Sequence, residues 1–256
     1  MRAGRRIAVI IPARDEESAI ARVIGDIPEW VDETIVCDNG SRDATTERAR
    51  AAGARTVAEP EPGYGAACLA GIAAMEPADI VVFLDGDYSD HPDEMAMLVD
   101  PIIAGEADMV IGSRATGVRE AGSLTLQQRF GNWFATRLIL LIWRVRYTDL
   151  GPFRAIRADA LDQLQMADRN YGWTVEMQVR AAEEGLVALE VPVRYRQRIG
   201  TSKVSGTIRG SVKAGTKILY IIARQAALRA ISRPRHAGTC DTPYARSTDR
   251  RGNGSL

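Results

Sequence analysis

The stretch Asp79-Ile-Val-Val-Phe-Leu-Asp85-Gly86-Asp87 places five consecutive apolar residues directly before two carboxylates separated by one glycine. An apolar run of this length that ends in polar residues is typical of a strand buried on both faces of a parallel sheet. Similar runs predict further strands at residues 6–12, 34–37 and 109–113. Alanine-rich stretches predict helices at residues 16–26, 42–52 and 64–75. Strands that alternate with helices indicate an α/β fold with a mostly parallel central sheet flanked by helices.

The second half of the chain is less regular. Its pattern predicts a long helix over 125–146, strands at 153–157 and 187–196, a helix near 174–184 and a mostly helical stretch from 206 to 231. We therefore predict one main domain over residues 1–206 and a C-terminal helical segment over 207–232. Residues 233–256 are rich in Pro, Gly, Arg, Ser and Thr, which predicts a disordered tail.

Composition excludes several classes of protein. The 256 residues are 46% hydrophobic and 26% charged, as in ordinary globular proteins, and the chain can bury a core without disulfides or a structural metal. Two histidines and three widely spaced cysteines exclude zinc-finger spacing and leave little for a histidine-based triad. No apolar run reaches the ~18 residues of a membrane span, and the first residues lack a signal-peptide core. We therefore expect a cytoplasmic protein with reduced thiols.

Charge is distributed unevenly although the net charge is zero. Residues 1–190 contain 19 basic and 31 acidic residues, whereas residues 191–256 contain 14 basic and 2 acidic residues. An acidic cleft suits cations, and a basic C-terminal part suits phosphates, anionic lipid or nucleic acid. A solvated basic tail is the alternative explanation.

The residues that follow the predicted strands are the candidate site residues, because ligands of such sheets bind beyond the carboxyl ends of the strands. Alternation along the strand places Asp85 and Asp87 on one side, and Gly86 permits close approach of the backbone. Two carboxylates beside open coordination positions suit Mg²⁺ or Mn²⁺ that bridges a diphosphate. Loop solvation or helix capping is the alternative.

Two other loops carry weaker signals. Asp38 begins the stretch Asp38-Asn-Gly-Ser-Arg-Asp43, in which a turn and a helix cap explain most residues but leave Asp38 able to accept hydrogen bonds from a base or ribose. Gly63-Tyr-Gly65 resembles a dinucleotide loop only superficially, because the third glycine is missing.

Taken together, these loops resemble those of family 2 glycosyltransferases, nearest to the dolichyl- or polyprenyl-phosphate sugar synthases. The resemblance covers about residues 6–206 and implies a Rossmann-like nucleotide-sugar-binding fold of the GT-A type. The matching stretches are Val9–Glu17, Asp38–Thr45, Gly63–Gly71, Phe83–Asp87, Ile111–Arg114, Gly151–Arg154 and Arg198–Lys203. Three departures stand out: Asn39 replaces a second Asp, Ser89 replaces a frequent Gln, and no transmembrane pair follows Lys203.

The resemblance also implies roles for individual residues. Asp38 reads the base, and Asp85 and Asp87 bracket the metal and the diphosphate. The other residues that border the nucleotide are Pro12, Ala13, Arg14 and Glu16. Arg198 and Lys203 close over the phosphates from a flexible loop, and Arg114 with Arg129 holds an acceptor phosphate.

An acceptor hydroxyl requires a general base, whereas an acceptor phosphate does not. Glu176 is the candidate base, because it follows two aromatic residues, Tyr171 and Trp173, that are able to stack on a sugar; a surface or salt-bridged glutamate is the equal alternative. Asp149 is ambiguous between a site residue and a turn former.

The resemblance implies an inverting transferase that moves a sugar from a UDP- or GDP-sugar to polyprenyl phosphate. The alternative acceptor is a soluble small molecule or a glycan hydroxyl, and a third reading is an inactive binding protein. We expect no nucleic-acid partner. Apolar residues beside cations in 138–143 and 218–222 predict peripheral contact with the inner face of the membrane. Packing in the core or on a second subunit of a homo-oligomer is the alternative.

Overall fold

The computed structural model describes residues 1–200 and 208–232, with side chains in the second range described from 215 to 229. Lys203 and the predicted tail at 233–256 lie outside the described residues. The strands, in chain order, are β1 (Ile7–Ala13), β2 (Glu33–Asp38), β3 (Arg55–Ala58), β4 (Ile80–Phe83), β5 (Met109–Ser113), β6 (Arg154–Arg157) and β7 (Ala188–Pro192). The α-helices are α1 (Ile20–Gly25), α2 (Thr45–Ala51), α3 (Tyr64–Ala74), α4 (Met95–Ile103), α5 (Leu126–Trp143), α6 (Ala158–Leu164), α7 (Trp173–Glu184) and α8 (Ile208–Ser232).

These strands form one seven-stranded sheet in the order β3-β2-β1-β4-β6-β5-β7. Strand β6 is antiparallel to β4 and β5, and the other neighbouring pairs are parallel. The α/β class and the mostly parallel sheet are therefore confirmed. The chain leaves β1 toward β2 and β3 on one side and later returns to β4 on the other side. This reversal opens a crevice at the carboxyl ends of β1 and β4, where open α/β sheets bind ligands.

Each face of the sheet has its own apolar layer. Ile10 of β1 packs in the layer formed with α3, α5, α7 and α8, whereas Val9 and Ile11 pack in the layer formed with α1, α2 and α4. All seven residues of β1 are buried. Side chains alternate between the faces of a strand, so a strand covered on both faces is continuously apolar. The apolar runs of the sequence are therefore the strands at the centre of the sheet.

Three elements differ from the sequence prediction, which contains no counterpart of β3, α4 or α6. Strand β3 lies at the sheet edge with exposed residues at both ends, so it carries no continuous apolar run. Helix α4 follows Pro92 and contains Pro101, and proline argues against a helix in sequence reasoning. Helix α6 begins directly after β6 without an intervening turn signal.

Helix α5 begins with a capping box in which Thr125 accepts from the Gln128 backbone and the Gln128 side chain accepts from the Thr125 backbone. It ends at Trp143, and the next residue, Arg144, adopts the left-handed conformation with φ 62°. The predicted helix over 125–146 is thus confirmed with slightly shorter bounds. Within the described residues, no helix is long and apolar enough to cross a membrane.

Candidate active site

A cavity of about 1120 Å³ lies at the carboxyl ends of β1, β4 and β5. Helices α5 and α8 contribute further walls. Most residues that the sequence predicted for a nucleotide and acceptor site line this one cavity: Pro12, Ala13, Arg14, Glu16, Asp85, Asp87, Arg114, Arg129 and Arg198. Asp38 and Glu176 do not line it.

Asp87 is held by contacts on both of its carboxylate oxygens. Oδ1 accepts from the Ser89 backbone N–H at 2.9 Å and from the Ser89 hydroxyl at 2.5 Å. Oδ2 lies 2.9 Å from Nη2 of Arg198. Asp87 is only 4% exposed, so these contacts stabilise a charge that burial disfavours. Ser89, a departure from the family pattern, therefore acts here as a clamp on Asp87.

Asp85 presents the second carboxylate of the pair. Its Oδ1 atom is buried and has no hydrogen-bond partner within the described residues. The Tyr64 hydroxyl lies near Asp85. It is also buried and, within the described residues, forms no hydrogen bond. Burial and the negative charge of Asp87 raise the pKa of Asp85. An orphaned carboxylate oxygen in a cavity is suited to receive a cation.

The fit of these residues to a divalent ion follows from that geometry. Asp85 offers an unpartnered oxygen, whereas Oδ2 of Asp87 is paired with Arg198 and would be open to a divalent ion only without that pair. No group of three or more His, Cys, Asp or Glu in the described part of the chain is arranged to hold a metal. A two-carboxylate site leaves positions for water and for phosphate oxygens, which is how Mg²⁺ is usually bound beside nucleotides.

The loop after Asp87 is anchored by the segment that follows β7. Arg196 donates to the backbone oxygens of Tyr88 and Asp90, and its guanidinium lies 3.2 Å from the centre of the Tyr88 ring. Tyr88 has φ +65°, a conformation that disfavours non-glycine residues. The Ile199 N–H donates to the Asp87 carbonyl. These contacts fix the Asp85–Asp87 loop, and sequence reasoning missed the part of Arg196.

Asp90 lies directly behind the carboxylate pair. Its Oδ2 atom accepts from the Asp85 N–H at 3.2 Å, and its Oδ1 atom is buried without a hydrogen-bond partner in the described part of the chain. Burial, together with the negative charges of Asp85 and Asp87, raises the pKa of Asp90. A neutral Asp90 would limit charge repulsion beneath the pair.

Arg114 is joined to Asp149 across 35 residues of sequence. Its Nε and Nη2 atoms donate to the two carboxylate oxygens at 2.7 and 2.8 Å, and its backbone N–H also donates to Asp149. Burial opposes ionisation of Asp149, but the Arg114 charge and hydrogen bonds outweigh it and lower the pKa of Asp149. Tyr195 stacks on the guanidinium at 5.1 Å. Asp149 is therefore the ion-pair partner of a candidate site residue rather than only a turn former.

Asn39 has a structural reason to replace aspartate. Its Nδ2 atom donates to the carbonyls of Glu59 at 3.1 Å and Glu61 at 2.7 Å, and its Oδ1 atom accepts from the Gly63 N–H at 2.7 Å. A carboxylate accepts but does not donate, so it would leave both carbonyls without this partner. Asp38, next to it, accepts from the Ser41 N–H at 3.1 Å in a turn.

Gly63 and Gly65 are required by close packing, because neither position has room for a side chain. A Cβ atom on Gly63 would collide with the Arg169 carbonyl, and one on Gly65 would collide with the Asp168 carbonyl. The backbone of the loop before α7 therefore lies directly against the start of α3.

Glu176 is fully buried and forms a structural anchor. Its Oε2 atom accepts from the N–H groups of Ala167 and Asp168 at 3.1 and 2.7 Å, and its Oε1 atom pairs with Arg180 at 3.0 Å. Asp168 in turn pairs with Lys217 of α8 at 2.7 Å. This geometry does not support the predicted role as general base, because the carboxylate is engaged away from the cavity.

The two aromatic residues predicted to stack on a sugar separate in the structure. Trp173 is buried and packs edge-on against Phe83 with ring centres 5.9 Å apart. Tyr171 is 38% exposed and lines the cavity. The sequence pattern that suggested a sugar platform near Glu176 is therefore mainly a core pattern.

Glu176→Gln tests the anchor role. We expect the free energy of unfolding to fall by about 1–3 kcal/mol, because the amide cannot accept all three hydrogen bonds and leaves Arg180 unpaired. Turnover should fall by less than about tenfold, with an unchanged pH profile, because no proton transfer is lost. Chemical denaturation and pH–rate measurements provide the comparison. A large loss of turnover, together with loss of the acidic limb of the pH–rate profile, would instead identify Glu176 as the base.

Comparison with known proteins identifies the family of this chain. A family model described as "Glycosyl transferase family 2" matches residues 8–165, which is more than half of the chain. The chain belongs to glycosyl transferase family 2. The predicted resemblance to this family is thus confirmed.

This family 2 glycosyltransferase aligns with two relatives over nearly the whole length of each relative. An uncharacterised glycosyltransferase of Mycobacterium tuberculosis is 37% identical over 220 residues, which cover 83% of this chain and 95% of that protein. The undecaprenyl-phosphate mannosyltransferase of Micrococcus luteus is 30% identical over 240 residues, which cover 88% of this chain and 98% of that protein.

A solved structure confirms the GT-A fold. Glucosyl-3-phosphoglycerate synthase of Mycobacterium tuberculosis, crystallised with Mn²⁺, uridine diphosphate and glucosyl-3-phosphoglycerate, superposes with a TM-score of 0.70 and 26% identity. The match covers 88% of this chain and 81% of that one. The architecture predicted for a family 2 glycosyltransferase is therefore present over most of the chain.

Proposed function

We propose that this family 2 glycosyltransferase moves a sugar from a UDP- or GDP-sugar to polyprenyl phosphate, with inversion at the anomeric carbon. One observation carries the proposal: a single cavity combines a carboxylate pair, several arginines and apolar side chains. The arginines other than Arg198 are Arg14, Arg114, Arg119, Arg129, Arg137 and Arg146. The apolar residues include Leu140, Ile218 and Leu219.

The cationic part of the cavity suits an acceptor phosphate. Arg129, Arg137 and Arg146 line the cavity, and none of them is in an ion pair within the described part of the chain. Guanidinium groups bind phosphate oxygens with charge-assisted, frequently bidentate hydrogen bonds. Arg114 is already paired with Asp149, so we assign the larger share of acceptor binding to the other three.

The chemistry follows from these residues. An acceptor phosphate oxygen forms a bond to the anomeric carbon as the bond from that carbon to the diphosphate oxygen breaks, and the electron pair leaves with the diphosphate. The phosphate oxygen is already anionic near neutral pH, so no general base is needed. This agrees with the position of Glu176 outside the cavity.

The departing diphosphate must be stabilised. Arg198 lies at the carboxylate pair and supplies a positive charge where the leaving group develops negative charge. Asp85 and Asp87 would hold Mg²⁺ or Mn²⁺, which when bound neutralises the diphosphate. Tyr171 and the arginines position the donor and acceptor so that the reaction is intramolecular in effect.

The alternative acceptor is a soluble molecule, either a phosphorylated compound or a glycan with a free hydroxyl. The structural neighbour that binds glucosyl-3-phosphoglycerate favours a phosphorylated compound among these. A neutral glycan would use neither the arginines nor the apolar wall, so the cavity supports it least.

An acceptor comparison tests the proposal. A panel of UDP- and GDP-sugars is assayed with polyprenyl phosphate, with the matching polyprenol, and with 3-phosphoglycerate. We expect transfer to polyprenyl phosphate to be at least about a hundredfold faster than to polyprenol, because a site built for phosphate rejects an analogue that lacks it. Equal use of polyprenol would contradict the proposal, and transfer to 3-phosphoglycerate alone would favour the soluble acceptor.

A further inference from the structure

Helix α5 has an exposed face that is apolar. Six exposed residues follow one another along this face: Leu126, Phe130, Trp133, Phe134, Arg137 and Leu141. Their spacings are four, three, one, three and four residues. At 100° per residue these positions fall within a stripe about 100° wide. Five of the six are apolar, whereas the outer face of a helix in a globular protein is normally polar. We call this set the α5 stripe.

The aromatic residues of the stripe form a cluster. Phe130 is 64% exposed and Trp133 is 52% exposed. The Phe130 ring stacks on Phe134 with centres 6.1 Å apart and lies 5.9 Å from the Trp133 ring. Three adjacent exposed aromatic rings indicate an interaction surface, because the exposure of contiguous apolar surface to water is unfavourable.

The opposite face of α5 already packs in the core. Ala135, Ile139 and Trp143 are buried with Ile221 and Ile222 of α8. All of these except Ala135 belong to the stretches 138–143 and 218–222, for which the sequence left membrane contact and core packing as alternatives. Both stretches are therefore partly core, with Leu141 and Leu219 still exposed, and most of the exposed apolar surface of α5 lies in its first half.

The charge around the stripe favours an anionic partner. Arg137 lies within the stripe, and α5 contains one other basic residue, Arg129, and no acidic residue. Arg144 and Arg146 extend the basic surface directly after α5. A second copy of the chain would bring the same positive face against itself across a two-fold axis. Anionic lipid head groups complement this face instead, and aromatic side chains are favoured at the depth of the lipid head groups.

The stripe also forms part of the cavity wall. Phe130, Trp133, Phe134 and Arg137 line the same cavity as Asp85 and Asp87. We infer that the α5 stripe docks on an anionic bilayer surface, with its aromatic rings in the head-group layer and the cavity open toward lipid phosphates. This inference rests on the proposed function for its biological purpose, but membrane docking is measurable without any donor or acceptor.

Vesicle binding by the full chain tests the inference. The protein is sedimented with phosphatidylcholine vesicles that contain phosphatidylglycerol, at low and high salt. We expect the wild type to bind at low salt and more weakly at high salt, and the triple variant Phe130→Ser, Trp133→Ser, Phe134→Ser to bind at least about tenfold more weakly. Met97→Ser on α4, which is 41% exposed on the other side of the sheet, is the matched control and should bind like the wild type.

A second measurement does not depend on the folding of the triple variant. Vesicles with brominated lipid chains should quench tryptophan fluorescence of the wild type, and Trp133→Phe should lose most of that quenching. Absence of wild-type binding at low salt, or equal binding by the triple variant, would overturn the inference. A change in oligomeric state of the triple variant without any change in vesicle binding would assign the stripe to a second copy. Because no substrate is present, the outcome is independent of the acceptor comparison.

Discussion

Turnover by Asp87→Asn is expected to fall at least about a thousandfold, because the substitution removes a buried charge at the centre of the proposed reaction. Asp87 is 4% exposed and contacts both Ser89 and Arg198. The amide keeps the shape of the side chain but neither neutralises Arg198 nor binds a divalent ion strongly. The measurement is kcat with saturating donor and acceptor, accompanied by thermal unfolding to confirm that the variant folds.

Two further variants serve as comparisons for Asp87→Asn. Ser89→Ala removes one hydrogen bond to Oδ1 of Asp87 and leaves the backbone bond in place, so we expect a loss of about tenfold in kcat. Glu106→Gln neutralises an exposed carboxylate in the turn after α4 and should leave kcat unchanged. Activity of Asp87→Asn close to that of the wild type would remove Asp87 from the mechanism.

The central strands were predictable because they carry the strongest local signal. Ile7–Ala13 and Ile80–Phe83 are buried on both faces, and such strands must be apolar at every position. Strand direction was not predictable for Arg154–Arg157, since a four-residue strand has the same pattern whether it runs parallel or antiparallel. Its antiparallel pairing depends on the path of the chain through α5, which no short-range pattern contains.

The family motifs predicted most of the residues that line the candidate site, with Asp38 as an exception, but they did not predict the partners of these residues. Asp85 and Asp87 stand at the end of an apolar run, so their position was evident. The pairing of Arg114 with Asp149 and of Arg198 with Asp87 joins residues far apart in sequence. For Glu176 the sequence left a general base and a salt-bridged glutamate as equal alternatives, and the structure shows the buried salt bridge with Arg180.

Arg198 leads to the least intuitive prediction, because it lies against one of the two carboxylates proposed to bind a metal. Its guanidinium lies 2.9 Å from Asp87 Oδ2 and so occupies the carboxylate that a divalent ion would use. Burial opposes the charge of Arg198, but the negative charges of Asp87 and Asp85 outweigh it and raise the pKa of Arg198. Under the proposed function, the arginine and a divalent ion would therefore compete for Asp87 before the nucleotide binds, and both would contact the diphosphate afterwards.

Arg198→Gln should accordingly have opposite effects on two measurements. In the absence of nucleotide, Mn²⁺ binding followed by electron paramagnetic resonance should tighten by about tenfold, because a competing positive charge a few ångströms away is removed. Turnover should fall by about a hundredfold, because the leaving diphosphate loses a cationic partner.

Arg194→Gln provides the matched control. Arg194 lies four residues earlier in the same segment, is about half exposed, and pairs with Asp93 and Glu94 rather than with the carboxylate pair. Its replacement should change neither Mn²⁺ binding nor turnover beyond about twofold, since exposed ion pairs contribute little. If Arg198→Gln instead weakened Mn²⁺ binding to the free protein, Arg198 would be a support of the carboxylate geometry rather than a competitor, because only competition predicts that loss of a cation strengthens binding of another.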